Sequence, residues 1–287
     1  MKILIISDFT EGGNGKILLE NFQSLGHQTF KYPVYRKDKY DLILVEGNRI
    51  LKMETLKKLK AEKIFCWWKD YDLETFERHS DFFNFFDKVY VQTTEPMKYF
   101  TPLLWGWIPE IFYKRKLSIQ EEYFYSSDVV FVGTFHISRQ HLINHLYKLS
   151  KAIKVKIWGT EEWKKYKRFW AKKPVYYDEY AKVLSASKIC FNIHRWNVGI
   201  SQRVFEGLGC GCLVLTDRVK GLDKYFKHGE HLVTYDSSKP NHMLEYINFY
   251  LEEKEKRNKI IEGGIREVKK HKLRKRLKRI LRDYEKT

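Results

Sequence analysis

Three short runs, each closing an apolar segment, carry the residue types that could do chemistry. Phe131-Val-Gly-Thr-Phe-His-Ile-Ser-Arg139 ends in Gly133-Thr134 and then opens a helix with Arg139 near its first turn. Small residues, free backbone N–H groups and a guanidinium together suit a phosphate. Phe191-Asn-Ile-His194-Arg195 closes a second run and offers Asn192 and His194. Ser201-Gln-Arg203-Val-Phe-Glu206-Gly-Leu-Gly-Cys-Gly211 starts a helix that breaks at glycines before another apolar run. Arg203 and Glu206 are three apart and share one helical face, which fits a surface ion pair. With Arg139 they also fit a nucleotide clamp, the guanidinium groups on a diphosphate and the carboxylate on ribose hydroxyls.

The first half of the chain offers weaker patterns. Gly12, Gly13 and Gly15 follow the apolar run Lys2–Ile6 and precede a helix. An anion or sugar could approach backbone N–H groups there, or the turn simply needs glycine. The spacing is neither GxGxxG nor GxxxxGK[ST], so neither a dinucleotide site nor a Walker loop is indicated. Asp70-Tyr-Asp72 follows Trp67-Trp68. The pair could hold a divalent cation on a nucleoside diphosphate, or Asp72 could cap the helix that starts near Leu73. Asp70 is the better candidate for a general base or a contact to an acceptor hydroxyl, with Asp8 and Glu11 next. Trp67, Trp68, Trp105 and Trp107 could stack on sugars or bases, though most are expected to be packing. The histidines do not cluster as metal ligands. His141 and His145 stand one helical turn apart without a third ligand nearby, and read as a polar helix face. Cys210-Gly-Cys212 has no base beside it and reads as small residues that let a helix pack on a sheet. No metal site is assigned.

These residues need strand ends to stand on, and the pattern supplies them. Apolar runs at 2–6, 41–46, 63–68 and 88–92 alternate with helix-like segments at 16–25, 53–61 and 73–86. Alternation of this kind argues for an α/β fold with a parallel sheet. The stretch 102–118 breaks the pattern, which restarts with strands at 128–132, 154–158, 188–193, 212–215 and 231–235. Helices are expected at 138–150, 178–185, 201–208, 240–260 and 264–284. Two Rossmann-like domains facing a central cleft follow, and ligands of such sheets sit at the carboxyl ends of the strands. The expected division is 1–115, 116–265, and a basic helix 266–287 packing back on the first domain.

The chain has 287 residues with 31% charged and 43% hydrophobic side chains, which fits globular domains and excludes a disordered or fibrous protein. Four cysteines (Cys66, Cys190, Cys210, Cys212) are too few for a disulfide scaffold and read as reduced thiols in a cytoplasmic protein. The start MKILIISDFT reads as a first strand, and no apolar stretch reaches a membrane span. The net charge of +18 is unevenly placed. Residues 1–115 hold 18 basic and 16 acidic side chains, so the remainder holds 36 and 20, a net of +16. Residues 148–173 carry ten basic against two acidic, and 263–287 eleven against three. Such fields favour anionic partners, or are well-solvated faces.

The run FVGT…R, then FNI, S-x-RVFEGLGCGCLVLTD, GL…F…GEHLVTY and a closing H-x-x-x-x-R resembles the spore-maturation-protein (CgeB-like) glycosyltransferases, of the group 1, two-domain GT-B type. The resemblance covers about 128–282 and extends only loosely over 1–115. It implies that Gly133, Thr134 and Arg139 fall on the donor diphosphate loop. Ser201, Arg203 and Glu206 then fall on the donor nucleotide and sugar, and Asn192 and His194 on the strand end. Many retaining relatives carry two glutamates separated by seven residues. With Glu206 as the second, the first position is Val198, so donor-sugar recognition must differ.

The reading is a hexosyltransferase-type enzyme that moves a sugar from a nucleoside diphosphate sugar, UDP-linked by preference, to a hydroxyl acceptor, with no separate cofactor. Arg139, Glu206 and Asp70 are its catalytic candidates. Gly12, Gly13, Gly133, Thr134, Asn192, His194, Ser201 and Arg203 join Arg139 and Glu206 in holding the donor. The acceptor includes anionic candidates, nucleic acid or a membrane-surface glycan; the DNA glucosyltransferases of T-even phages show that such a fold can host nucleic acid. Two alternatives stand beside it: a non-catalytic nucleic-acid-binding protein, and a metal-dependent GT-A enzyme using Asp70 and Asp72. The last helix is expected to dock through Leu273, Leu277, Leu281 and Tyr284, with a basic face left over that also fits an interfacial membrane helix.

Overall fold

A computed structural model describes residues 1–33, 38–47, 51–69, 73–149, 153–195 and 197–287, without the side chains of 73, 148 and 149. In chain order the elements are β1 (Lys2–Ile6), α1 (Gly15–Ser24), β2 (Gln28–Lys31), β3 (Lys39–Gly47), α2 (Met53–Lys57), β4 (Lys60–Trp68), α3 (Leu73–Arg78), α4 (Ser80–Asn84), β5 (Lys88–Val91) and β6 (Thr101–Pro102). There follow α5 (Ile119–Tyr125), β7 (Ser127–Val132), α6 (Gln140–Leu149), β8 (Val155–Trp158), α7 (Tyr177–Ser185), β9 (Ser187–Asn192), α8 (Gln202–Gly209), β10 (Leu213–Asp217), β11 (Val233–Tyr235), α9 (Pro240–Glu252), α10 (Lys254–Val268) and α11 (Leu273–Lys286). Two compact units result, Met1–Trp105 with Arg274–Thr287, and Gly106–Leu273.

The first unit is built on a six-stranded parallel sheet in the order β2-β1-β3-β4-β5-β6. Its central strands carry apolar runs at Leu42–Val45 and Ile64–Trp68, because a parallel strand covered on both faces has no solvent side to keep polar there. Leu4, Ile43, Cys66, Trp68, Phe82 and Phe83 share one core. The helix expected over 73–86 is two short helices, since α4 restarts at His79, whose φ/ψ of −120°/34° leaves the helical region. From Arg274 on, α11 belongs to this unit. The Tyr90 hydroxyl donates to Asp283 at 2.7 Å, the Lys88 ammonium lies 3.0 Å from the same carboxylate, and the Tyr284 hydroxyl donates to Glu62. The buried stripe of α11 is Leu273, Leu277 and Ile280, whereas the expected Leu281 is only half-buried. At 3.6 residues per turn, position 281 lies about 80° round from 273, and 280 returns to within about 20°.

The second unit carries a five-stranded parallel sheet in the order β11-β10-β9-β7-β8. The chain runs from β7 outward to β8, then crosses to β9 on the other side. That reversal makes the carboxyl ends of β7 and β9 a topological switch point. The core gathers Val129, Phe131, Leu142, Ile189, Phe191 and Leu213. Helix α8 lies close on the sheet because Gly207 has no side chain: a Cβ there would sit 2.8 Å from Val214 Cγ2 and 3.2 Å from Cys190 Sγ. Residues 106–112 join this unit, ahead of the expected boundary near 115, because the Trp107 backbone pairs with His271 and Leu273 and its indole donates to Phe112 O. The helix expected over 240–260 ends at Glu253, where Arg257 folds back to donate to the Tyr250 and Leu251 carbonyls that would otherwise be orphaned. Among the described residues no helix is long and apolar enough to cross a membrane.

Candidate functional site

The ends of β7, β9 and β10 are adjacent in the sheet and are tied together by one buried amide. Asn192, fully buried, accepts from the Ser201 hydroxyl at 2.9 Å and from Arg203 Nη1 at 2.6 Å, and donates to Thr216 Oγ1 at 2.8 Å. Arg203 Nε donates to Val132 O at 2.6 Å, so this guanidinium bridges the ends of β7 and β9. Gly133 explains how it fits. Its φ of +152° and missing side chain leave room for Arg203, whose Nη2 would lie 2.5 Å from a Cβ. Asn192, Ser201 and Arg203 are thus brought together, largely as a frame that fixes the loop around Gly133 and Thr134.

His194 stands on that frame. Its Nδ1 lies 2.7 Å from Asp217 Oδ1, and its backbone N–H donates to the same oxygen at 2.9 Å. Burial works to raise the Asp217 carboxyl, but the His194 charge and the hydrogen bonds from His194 and Thr216 outweigh it and hold the group below the usual range. With Nδ1 engaged, the buried Nε2 of His194 has no hydrogen-bond partner among the described residues. An imidazole oriented by a carboxylate, with its second nitrogen left over, is poised for a ligand or a proton.

Arg139 closes the site beside the β7 loop. Nη1 donates to Thr134 O at 3.0 Å, the guanidinium lies 5.7 Å from the Phe131 ring centroid, and the buried Nε has no partner among the described residues. Desolvation, then the nearby Arg203 and Arg195, pull its pKa down to about 10, with Asp217 the one group acting the other way. Cations gathered with so little opposing charge leave a field that an anion would relieve.

Glu206 follows Arg203 by three residues on the same face of α8. Burial pushes its carboxyl up to about 7, against the pull of Arg203 and of a hydrogen bond from the Tyr180 hydroxyl. The residue keeps part of its surface exposed, so a ligand can still reach it.

The remaining candidates lie in the first unit or outside the described residues. Asp70 and Asp72 lie outside them. Gly12 and Gly13 form a turn wrapped on Asp8, where a Cβ at Gly13 would meet Asp8 O at 2.3 Å, so glycine is required there by the turn itself. Asp8 accepts from the backbone and hydroxyl of Thr10, and Glu11 is exposed. Trp67 and Trp105 are buried with centroids 5.0 Å apart, and Trp68 packs among phenylalanines. The four cysteines are free and buried. No group of three His, Cys, Asp or Glu side chains able to hold a metal occurs among the described residues.

Sequence reasoning missed Thr216, Asp217 and Tyr180 at the site, and Glu46 in the first unit. Glu46, at the end of β3, is buried and bonded by the Ser7 hydroxyl at 2.5 Å, Asn14 Nδ2 at 3.0 Å and Lys69 Nζ at 3.0 Å. Asp217 and Glu46 both end apolar runs, LVLTD and DLILVE, so the strand-end rule applied there would have found them.

Residues 139–282, about half of the chain, match the family described as Glycosyl transferase-like, and the chain belongs to that family. It is a glycosyltransferase, and its two parallel sheets are those of the GT-B fold. No curated protein matches it in sequence. Among solved structures, sucrose-phosphate synthase from Thermosynechococcus elongatus aligns with a TM-score of 0.73 at 11% identity, covering 99% of this chain and 98% of that one. The HepE protein of Anabaena, solved with UDP and glucose, aligns with a TM-score of 0.70 at 10% identity over 100% of both chains. An α-glucosyltransferase solved with UDP-glucose and DNA containing an abasic site gives 0.69 at 11% identity over 99% of each. Identities this low speak for the fold alone.

Proposed function

We propose that the protein is a hexosyltransferase of the spore-maturation type that transfers a sugar from UDP to a hydroxyl acceptor in the cytoplasm. The observation that carries this reading is Arg139, a half-buried guanidinium with an unpartnered Nε beside Arg203 and Arg195 at a topological switch point. The leaving group of the reaction is a nucleoside diphosphate, and its developing charge must be met by preorganised donors. Arg139 and the Gly133-Thr134 loop supply them, with Arg203 holding the loop in place, and His194, whose Nδ1 faces Asp217, offers Nε2 as an acceptor for a ligand hydroxyl. Glu206, as a carboxylate, accepts from the ribose hydroxyls. The fold neighbours solved with UDP or UDP-glucose support a uridine donor.

In this reading the second unit holds the donor and the first serves the acceptor, with Asp70 as the base for an inverting reaction. Free, buried cysteines suit a reducing compartment. The two basic segments favour an anionic acceptor, and the DNA in one neighbour's structure makes nucleic acid the first to try. The single-sheet, metal-dependent alternative does not fit two parallel sheets. Calorimetric titration of UDP and UDP-glucose, with and without a chelator, tests the proposal. Binding should occur without added metal, and an absolute need for a divalent ion would return Asp70 and Asp72 as a metal site.

A further inference from the structure

The second unit contains another pocket, of about 660 Å³, lined by residues that the donor reading does not use. That volume is in the range of small-ligand sites, about 300–1,000 Å³. It opens in the loop after β10. Arg218 N donates to Tyr235 O at 2.9 Å and Lys220 N to Asn197 O at 3.1 Å, which ties the loop to β11 and to the β9–α8 connection. Gly221 then turns with φ +76°, a left-handed conformation that suits glycine, and leads into a single 3₁₀ turn at Leu222–Lys224. Val219, Leu222 and Phe226 are buried and give the pocket an apolar floor.

Its rim is rich in donors. The Arg218 side chain is exposed and has no hydrogen bond or ion pair among the described residues. His228 accepts from Thr234 N–H through Nδ1 at 3.0 Å, which puts the proton of the neutral ring on Nε2. Desolvation and the Arg218 charge together hold this imidazole below its usual range, so the guanidinium bears on the ring. Asp223 on the same rim offers an acceptor. The pocket also adjoins the site in the chain: Arg218 follows Asp217, the partner of His194.

We infer that this pocket binds the anionic group of a sugar substrate, a carboxylate or phosphate carried on a pyranose. Arg218 takes the anion in the two-pronged manner that suits a guanidinium, and His228 adds a donor. Asp223 accepts from hydroxyls, and the apolar floor lies under the ring. The inference deepens the glycosyltransferase reading and rests on it. The anionic sugar has two sources, the donor or the acceptor.

Calorimetry on the full chain separates them. Titrations of UDP, UDP-glucose and UDP-glucuronate read the donor source. Glucose, glucuronate and glucose 6-phosphate, titrated into UDP-saturated and UDP-free protein, read the acceptor source. In one of the two arms the anionic sugar should bind at least about tenfold more tightly than its neutral counterpart, as expected for a charge-assisted hydrogen bond. Arg218→Ala should remove that advantage, Arg218→Lys should keep part of it, and affinity for UDP itself should not change in either variant. No anionic preference in either arm, or a preference that survives Arg218→Ala, overturns the inference. Absence of UDP binding alongside an Arg218-dependent preference for glucose 6-phosphate would overturn the UDP reading and leave the pocket standing.

Discussion

The carboxyl ends of the two sheets carry polar clusters of similar size that are balanced in opposite ways. In the first unit Glu46 is buried, but Ser7, Asn14 and Lys69 occupy its two oxygens, and Asp8 is turned back onto Thr10. In the second unit the frame around Asn192 is also closed, yet Arg139 Nε and His194 Nε2 stay buried without partners and the cations outnumber the acids. A cluster whose hydrogen bonds close on themselves stabilises a fold. One that leaves a desolvated guanidinium N–H and a ring nitrogen over still has hydrogen-bonding capacity to offer a ligand.

Breaking the closed cluster should have the largest effect. Glu46→Ala leaves Lys69, Asn14 and Ser7 without their acceptor. Removing one partner of a buried pair costs about 3–5 kcal/mol, and partial exposure of Lys69 lowers the expectation to about 2–4 kcal/mol. Urea unfolding should show this loss while UDP affinity of the folded protein is unchanged; weakened UDP binding with intact stability would reverse the two roles. Arg139→Ala tests the open cluster. UDP affinity should fall by about 1.5–3 kcal/mol, roughly ten- to a hundredfold, with no loss of stability. Unchanged affinity would remove Arg139 from the donor site.

Glu206 gives a smaller effect with a defined sign. Its folded pKa of about 7 lies above the ordinary 4.5, so the native state holds the proton more tightly than the unfolded chain. The stability that this linkage contributes is fully present below about pH 4.5 and lost as pH rises through 7. Donor binding should run the other way, because only the carboxylate accepts from ribose. UDP affinity is expected to rise several-fold, about threefold to tenfold, between pH 6 and pH 8. Glu206→Gln should flatten both profiles, and a pH dependence that persists in this variant would assign it to another group. The smallest effects belong to the exposed basic face of α11. Lys278→Ala and Arg282→Ala should each change stability by less than about 0.5 kcal/mol and leave UDP binding alone. If that face reads nucleic acid, each change should lower the salt slope of duplex DNA binding by about one. No DNA binding by the wild-type chain at low salt would make the face simple solvated surface.

How much of this was legible in the chain varies by residue. Uninterrupted apolar runs ending in Gly133-Thr134, Asn192 and Leu215-Thr-Asp217 announce buried parallel strands. Local pattern was a poorer guide to helix breaks. Nothing in the run Leu251-Glu-Glu-Lys-Glu-Lys-Arg257 marks a stop, because the break depends on Arg257 finding carboxyl-end carbonyls once the chain has turned. Ile280 was displaced by Leu281 in the reading of α11, since two adjacent apolar residues leave the phase of a stripe open until a partner surface selects one.

Sequence order alone carried the alternation of strands and helices and the α/β class of the fold, because periodicity is a local property. How Asn192, His194 and Arg203 are joined was decided by folding. Asn192 and Arg203 turned out to be joined to each other and to Val132, and His194 to an Asp217 that lies 23 positions away in the chain. Hydrogen-bond satisfaction and desolvation depend on neighbours brought together across three strands, and no spacing along the chain encodes them.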